Sequence, residues 1–243
     1  MPKNIRSTPR REESLSRERI IDAAIELLDR SGEEGLTFRA LSERLATGPG
    51  AIYWHIANKS DLLTAACDAI VARTMEERVA GATPEATLRA LALAIFDAID
   101  AHPWVGSALR APGQLPIVRI VEGITRQVRA LGVSDENLWA TVSALLSFIL
   151  GVGGQNAAHT QFARVQGLDR SHFLNAVATV WSQLDPDEYP CTRSLAGALR
   201  THDDRVDFLA GIDLILGGII KGGRPIASSR LKAADKRPRR PSR

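Results

Sequence analysis

The stretch LTFRALSERLATGPGAIYWHIANKSDLL, residues 36–63, decides the fold of this chain. Thr37 is suited to cap a helix, because its hydroxyl accepts a hydrogen bond from a backbone N–H that has no helical partner. An amphipathic run follows from Phe38 to Leu45. Residues 47–50, Thr-Gly-Pro-Gly, then interrupt that helix, and proline is best tolerated in the first turn of a new one. We predict two short helices joined by a tight turn, which is the form of a helix-turn-helix motif.

The second short helix, residues 50–56, carries an unusual group of side chains. Tyr53, Trp54 and His55 can all donate hydrogen bonds to phosphate oxygens, and the small residues before them let the backbone approach a DNA groove. The alternative is that Tyr53 and Trp54 are core aromatics and that His55 is an ordinary surface residue. The order of the surrounding residues favours the DNA-binding interpretation.

That order closely resembles the DNA-binding domain of tetracycline-repressor (TetR) family regulators. The matching residues are Thr37, Arg39-Ala40-Leu41, Leu45-Ala46, Gly48, Gly50-Ala51-Ile52-Tyr53-Trp54-His55-Ile56, Asn58-Lys59 and Asp61-Leu62-Leu63. The family's usual form is a tyrosine, one variable residue and then His-Phe, followed by Lys and Leu. Here Ile56 conservatively replaces the phenylalanine, and Pro49 is less usual in the recognition helix. The resemblance is specific over about residues 16–64 and looser beyond.

The resemblance implies roles for individual residues. Phosphate-contacting positions of the family are matched by Thr37, Tyr53, His55 and Lys59. Positions that approach bases or backbone in the groove are matched by Arg39, Thr47, Gly48, Pro49, Gly50, Ala51 and Trp54. The family's partners would be a palindromic double-stranded DNA operator, a second copy of the chain and a partly apolar small-molecule inducer.

Helical periodicity continues on both sides of this stretch, and no alternation typical of strands occurs. We predict an all-α fold of nine or ten helices, in which a three-helix DNA-binding domain joins a larger helical domain for ligand binding and dimerisation. The predicted boundaries are a flexible basic arm at 1–14, a helix-turn-helix domain at 15–64 with its motif at about 37–56, a regulatory domain at 65–221 and a basic disordered tail at 222–243. Residues 185–201, which contain two prolines and a glycine, are predicted to form a loop with at most one helical turn.

Charge is distributed unevenly along the chain. Residues 1–19 carry six Lys or Arg against three Glu, and residues 221–243 carry nine against one Asp. The whole chain has a net charge of +3, so removing the +3 and +8 of its two ends leaves −8 for residues 20–220. Basic ends on an acidic body are typical of a nucleic-acid binder whose tails contact phosphates. Tails that only increase solubility are the alternative, above all at the C-terminus.

Composition and spacing favour a binding protein over an enzyme. The two cysteines, Cys67 and Cys191, lie far apart, which indicates neither a disulfide framework nor a metal site. The histidines are scattered, and no Gly-rich phosphate loop or nucleophile elbow occurs. We expect no enzymatic activity, cofactor or metal. Since neither a signal peptide nor an apolar run long enough to span a bilayer is predicted, we expect a soluble cytoplasmic protein with no membrane partner.

Candidate ligand-binding residues combine aromatic bulk with a few polar groups in the predicted body. They are Trp104, Trp139, Gln155, Asn156, His159, Phe162, His172 and Trp181. For each one taken singly, core packing or an exposed loop position is the alternative. Tetracycline repressors use a histidine and a divalent metal, but no such site can be matched here residue by residue.

Two strongly apolar helices predict a dimer interface. The expected interface residues are Val142, Leu145, Leu146, Ile149, Phe208, Ile212, Ile215 and Ile219. The stripe on the final helix is too wide for one neighbour in a small domain, so packing against a second copy would form a four-helix interface. The competing interpretation is that both helices are buried within one subunit.

The function predicted from these observations is a homodimeric transcriptional repressor that a small-molecule inducer releases from its operator. Inducer binding would favour a conformer whose two recognition helices are wrongly spaced for successive major grooves. The alternative is a DNA-binding or co-regulatory protein of the same fold that responds to no ligand. Inducer-dependent release of DNA would separate the two.

Overall fold

Helices account for all the regular structure in the described part of the chain, which comprises residues 15–78, 83–111 and 113–221 of this computed structural model. The predicted basic arm and basic tail lie outside these residues. The eleven helices are α1 (Arg17–Gly35), α2 (Phe38–Leu45), α3 (Pro49–Tyr53), α4 (Lys59–Arg78), α5 (Pro84–Ala101), α6 (Pro103–Ala108), α7 (Leu115–Ala130), α8 (Asp135–Val165), α9 (Arg170–Ser182), α10 (Pro190–Arg200) and α11 (Asp204–Lys221). The predicted all-α class is confirmed.

The first helix begins after a capping serine and is interrupted at a glycine. Ser16 caps α1 by accepting a hydrogen bond from the backbone N–H of Arg19 at 3.3 Å. Gly32 has φ 64° and ψ −170°, so the helix is interrupted there before a last turn runs to Gly35. A residue with a Cβ is disfavoured in this left-handed region, which explains the glycine.

The small N-terminal unit, α1 to α3, has its own core. Ile20, Ala24 and Leu28 of α1 are buried, as are Leu41 of α2 and Ile52 of α3. The long helix α4 packs on α1, with ion pairs to α1 from both Asp61 and Arg73, and also packs on α5 and α7. The predicted domain boundary at residue 64 therefore falls inside α4, which joins the N-terminal unit, called the head below, to the rest of the chain, called the body.

The body is organised around α5 and α8. Helix α5 packs against α4, α7, α8 and α11, and α8 also contacts α6 and α7. Helices α9 and α10 form a hairpin that rests on α8 through α9. The body therefore has a central helical layer, with the α9–α10 hairpin attached at one side.

The prediction of a loop at 185–201 was wrong. Residues Pro190–Arg200 form α10, an eleven-residue helix. Pro190 stands at the first helical position, where proline is favoured because its missing N–H would have no helical partner. Packing against α9 then outweighs the modest cost of Gly197 in the helix interior.

Most of the predicted dimer residues lie inside one subunit, which corrects that assignment. Val142, Leu145, Ile149, Phe208 and Ile212 are buried in the core of the single chain. Leu146, Ile215 and Ile219 are partly buried against the same core. The stripe is wide because α8 and α11 each pack against α5 and against one another. Of the two interpretations considered, burial within one subunit describes the five buried side chains, while an interface role for Leu146, Ile215 and Ile219 stays a prediction.

Helix α8 contains a 29-residue segment, Asp135–Ala163, that is long and apolar enough to cross a membrane by length and composition alone. This corrects the expectation that no such run occurs. One face of the segment carries Val142, Leu145 and Ile149 into the protein core. Only 22% of its most apolar window is buried in the subunit, so a second apolar face stays exposed.

Candidate nucleic-acid interface and ligand cavity

The turn between α2 and α3 is built from backbone hydrogen bonds and one left-handed residue. Thr37 caps α2 by accepting from the backbone N–H of Ala40 at 3.1 Å. Helix α2 ends at Ala46, which has φ 50°, and the N–H of Thr47 then donates to the carbonyl of Ser42 at 3.0 Å. These contacts fix the angle at which α3 leaves α2.

Helix α3 presents nearly all of its surface to solvent. Within it, Ile52 is the buried residue that anchors it to the head. Gly48, Pro49 and Gly50 are exposed, and a Cβ built at either glycine would meet no atom within 4 Å. Trp54 is 88% exposed, so it is not a core aromatic. An exposed helix that begins with small residues fits the geometry of a recognition helix entering a DNA groove.

Tyr53 has both a structural and an exposed part. Its ring stacks on Phe38 at a centroid distance of 4.4 Å and an interplanar angle of 7°. Tyr53 is nevertheless 54% exposed. The stacking orients the ring against α2, while the residue remains available at the surface of the head.

Lys59 and Arg39 already have partners within the head. The ammonium group of Lys59 donates to the carbonyl of Glu33, in the last turn of α1, at 2.5 Å. Arg39 Nε donates to Glu43 Oε1 at 3.0 Å across one turn of α2. Both cations are exposed. Sequence reasoning missed the structural role of Lys59, because its partner is a backbone atom 26 residues away.

The other residues predicted to contact DNA lie in or beside the α2–α3 turn and helix α3. His55 is exposed, and Thr47 and Ala51 are half-buried. Together with Thr37 and the exposed residues of α3, they belong to one continuous segment that the turn holds at the surface. Their contacts with DNA stay a prediction.

The body contains a cavity of about 610 Å³ between α8, α9, α10 and α11. Its size is within the range of sites for drug-sized molecules. The lining is mostly apolar and aromatic, with a polar group at one side. The lining residues are Phe148, Val152, Gln155, Asn156, His159, Arg170, Phe173, Leu174, Val177, Trp181, Leu199, His202, Asp204, Asp207, Phe208, Ala210, Gly211 and Leu214.

Four of the residues predicted for a ligand site line this cavity: Gln155, Asn156, His159 and Trp181. Asn156 is buried and donates from Nδ2 to Asp100 Oδ1 at 2.8 Å. The periodicity of α8 places Gln155, Asn156 and His159 within little more than one turn. Two amides and a histidine on the apolar helix α8, and a tryptophan on α9, are the signal that identified this wall.

The other four predicted residues lie elsewhere. Trp104 is buried at the junction of head and body, where its indole N–H donates to Asp29 Oδ1 at 2.8 Å. Trp139 is 74% exposed on the outer face of α8. Phe162 is 55% exposed and packs edge-on against Phe173 at 6.0 Å without lining the cavity. His172 is exposed in the first turn of α9.

His172 belongs to the cap of α9. The carboxylate of Asp169 accepts from the backbone N–H of His172 at 2.8 Å, and its second oxygen is 2.8 Å from the imidazole Nδ1. These two bonds, in that order, and a third from the Ser171 hydroxyl lower the pKa of Asp169 to about 2. Each bond favours the charged carboxylate over the protonated acid.

Sequence reasoning missed the polar side of the cavity. Arg170 Nε donates to Asp204 Oδ2 at 2.8 Å, and its Nη2 pairs with the other oxygen of the same carboxylate. The imidazole of His202 lies between two carboxylates, with Nε2 2.9 Å from Asp204 Oδ1 and Nδ1 2.5 Å from Asp207 Oδ2. Arg170 and Asp204 are 34 positions apart, so no local spacing predicts the pair.

This polar group is not arranged around a metal ion. The two nitrogens of His202 point to different carboxylates, so the three side chains do not converge on one point. No group of three or more His, Cys, Asp or Glu placed to hold a metal occurs in the described residues.

Head and body are joined by polar contacts as well as by α4 itself. Asp29 on α1 accepts from the Trp104 indole and lies 2.7 Å from His102 Nδ1, so it connects to the start of α6. Arg73 of α4 pairs with Asp22 of α1 at 2.6 Å. On the body side, Asp68 of α4 pairs with Arg119 of α7 at 2.6 Å. Helix α4 is therefore tied to both units.

An exposed recognition helix held by a capped helix-turn-helix, on a body with its own cavity, defines the chain as a DNA-binding regulator. Residues 20–66 match the model of the bacterial regulatory proteins of the tetR family. A TetR transcriptional regulator of Streptomyces coelicolor, SCO7222, is 51% identical in sequence and superimposes with a TM-score of 0.78, covering 87% of this chain and all of that one.

Two curated relatives agree with this match. The class D tetracycline repressor protein of Escherichia coli is 32% identical over 151 residues, which cover 60% of this chain and 68% of the repressor. An HTH-type transcriptional regulator of Saccharopolyspora erythraea is 27% identical over 140 residues, 56% of this chain and 59% of that protein's length. This chain belongs to the TetR family.

Proposed function

We propose that this protein is a cytoplasmic, homodimeric repressor that a small molecule, bound in the α8–α11 cavity, releases from a palindromic operator. The observation that carries the proposal is the presence, in one chain, of an exposed recognition helix and a cavity of about 610 Å³. The structural connection between them is α4, which is paired with α1 on one side and α7 on the other.

The dimer surface consists of the outer faces of α8 and α11, opposite the buried stripes. Exposed residues on these faces include one large aromatic residue, one leucine and several small residues. They are Trp139, Ala144, Ser147 and Gly151 on α8, and Ala210, Leu214 and Gly218 on α11. Ala210 and Leu214 also line the cavity, so the proposed dimer surface extends to the cavity's edge. Small residues let helices approach closely, and a two-fold axis between these faces would produce a four-helix interface.

Ligand binding would act through packed helices. Helix α5 contacts both cavity helices α8 and α11, and it also contacts α4. A ligand that binds more tightly to one arrangement of these helices shifts the population toward it. Because α4 carries the head, such a shift changes the separation of the two recognition helices, and paired half-sites require a fixed separation.

Selection from random duplexes tests the DNA part of the proposal and needs no known operator sequence. The purified full chain should enrich a palindrome, and sedimentation should show two chains bound to each selected duplex. A selected sequence that lacks two-fold symmetry, or binding by one chain, would contradict the homodimeric repressor.

The coupling of cavity to DNA is tested by filling the cavity from within. Val177 lines the cavity, whereas Val180 on the same helix is exposed and does not. Val177→Trp should mimic an occupied cavity and weaken operator binding at least tenfold, while Val180→Trp leaves it unchanged. Equal affinities for both folded variants and the wild type would instead favour the DNA-binding protein that responds to no ligand.

A further inference from the structure

The polar side of the cavity contains a hydrogen-bond donor that has no acceptor. Two of the three guanidinium nitrogens of Arg170, Nε and Nη2, are engaged by the carboxylate of Asp204. The third, Nη1, is enclosed and has no hydrogen-bond partner among the described residues. Buried polar groups in folded proteins are almost always paired. Because Arg170 lines the cavity, a small rotation of its guanidinium group would present this donor to an acceptor brought by a ligand.

The charge around this donor is already balanced. Asp204 compensates Arg170, and Asp207 faces the imidazole of His202. His202 donates to both carboxylates only as the imidazolium, because a neutral imidazole has one N–H. With His202 as the imidazolium, the formal charges of Arg170, His202 and the two aspartates sum to zero. With a neutral imidazole, these charges sum to −1. A ligand anion would lose its hydration without gaining a net positive partner.

The wall beside Arg170 is aromatic. The guanidinium carbon of Arg170 lies 5.6 Å from the centroid of the Phe173 ring, and the His159 ring lies 5.5 Å from the same centroid. Trp181 lines the cavity on the same helix as Phe173. Flat rings of this kind favour a planar aromatic guest, which stacks or packs edge-on against them.

We propose that the ligand of this cavity is an uncharged, planar aromatic compound with a carbonyl oxygen, which accepts a hydrogen bond from Nη1 of Arg170. This inference rests on the proposed function, in which the cavity takes a small molecule. It adds the chemical class of that molecule: aromatic because of the wall, uncharged because the polar group is balanced, and a carbonyl compound because the donor lacks an acceptor.

Three probes with the same ring system test each part of the proposal. Fluorene has the rings without an acceptor, 9-fluorenone adds the carbonyl oxygen, and 9-fluorenone-2-carboxylate adds a negative charge. Calorimetric titration of the full chain without DNA gives a Kd for each. We expect 9-fluorenone to bind most tightly and the carboxylate to bind more weakly than 9-fluorenone.

The matched variant is Arg170→Lys, which keeps a cation beside Asp204 but has one nitrogen in place of the three of the guanidinium, so no nitrogen remains at the position of Nη1. The ratio of the fluorene Kd to the 9-fluorenone Kd should fall at least fivefold in this variant, while the fluorene Kd stays the same. Phe173→Leu should instead weaken both probes equally. Circular dichroism and thermal unfolding establish that each variant is folded, and a variant that is not folded is replaced by Arg170→Gln or Phe173→Met.

Each contrary result has a definite meaning. An unchanged ratio in Arg170→Lys overturns the hydrogen bond to Nη1, and tighter binding of the carboxylate overturns the charge argument. Failure of all three probes to bind overturns the aromatic class. If 9-fluorenone binds as expected but Val177→Trp does not affect operator affinity, the ligand class stands and the proposed repressor mechanism fails.

Discussion

At the scale of single residues, Tyr53 shows how one side chain combines two roles. The stack on Phe38 belongs to the head's own stability, and the exposed part of the residue is available to DNA. We predict that Tyr53→Phe keeps the stack and weakens operator binding about tenfold, because it loses only a hydroxyl bond to a charged phosphate. Fluorescence anisotropy with the selected operator measures this loss.

The control is Tyr53→Ala, which also removes the ring. It should lower the free energy of unfolding by about 1 kcal/mol in addition to its effect on binding, since stacked aromatic pairs contribute energy of that order. Chemical denaturation of both variants separates the two roles. Equal stability of Phe and Ala variants would show that the stack contributes nothing.

Lys59 is the second residue whose role is divided. We predict that Lys59→Ala reduces the slope of log K against log salt by about one, because one phosphate contact is lost. The same substitution leaves the Glu33 carbonyl without its donor, so the head should be destabilised by about 1 kcal/mol. Salt titrations of operator binding and denaturation of the free protein measure the two effects separately. If the slope of log K against log salt is the same in the variant as in the wild type, Lys59 contacts no phosphate and contributes only to the stability of the fold.

At the scale of elements, the cap of α9 makes part of the body sensitive to acid. The pKa of Asp169 is about 2 in the folded protein, below its usual value of about 3.9. Because the folded value is the lower one, the cap stabilises fully above about pH 4. That contribution is lost as the pH falls through 2.

We predict that Asp169→Asn preserves the cap, since asparagine caps helices as well as aspartate, but removes this part of the acid sensitivity. Hydrogen exchange of the α9 amides between pH 2 and pH 5 should then change less in the variant than in the wild type. An identical pH profile in the two proteins would show that other carboxylates control acid opening of this helix.

Local elements were predicted well where the signal was local. The cap at Thr37 and the turn at 47–50 follow from single residues and their immediate neighbours. Helix α10 was not predicted because two prolines and a glycine were taken to interrupt helices. Its packing on α9 depends on tertiary structure, which the local sequence does not show. The pair Arg170–Asp204 was missed for the same reason, since tertiary structure alone brings its partners together.

At the scale of the whole molecule, apolar periodicity predicted which helices are buried but not against which partner. Ile212 is fully buried within its own subunit, so a charge there would unfold the chain before it tested any dimer. The exposed faces of α8 and α11 need a different kind of variant, one that changes the surface without disturbing the core.

Gly218 provides that variant, because it is exposed and a Cβ there meets no atom within 4 Å. We predict that Gly218→Arg converts the dimer to monomers at micromolar concentration, since two cations would meet near the two-fold axis. The subunit itself should become no less stable, because arginine favours a helix more than glycine does. Sedimentation velocity measures the oligomeric state.

The matched control is Gly197→Arg on α10, which is equally exposed and unobstructed but lies away from the proposed interface. This variant should remain dimeric and bind the operator normally. A dimeric Gly218→Arg protein would place the interface on another surface, and two monomeric variants would point to a general effect of added charge.

The openness of α3 has a consequence for how such a regulator diversifies. A side chain added at Gly48 or Gly50 would meet no atom of the described residues within 4 Å, and their helix is held by buried Ile52 and by the stack of Tyr53 on Phe38. Larger side chains at these two glycine positions would meet only solvent or a groove of DNA. After gene duplication, a copy could therefore acquire a new target sequence by a few substitutions here, with its ligand response and assembly inherited intact.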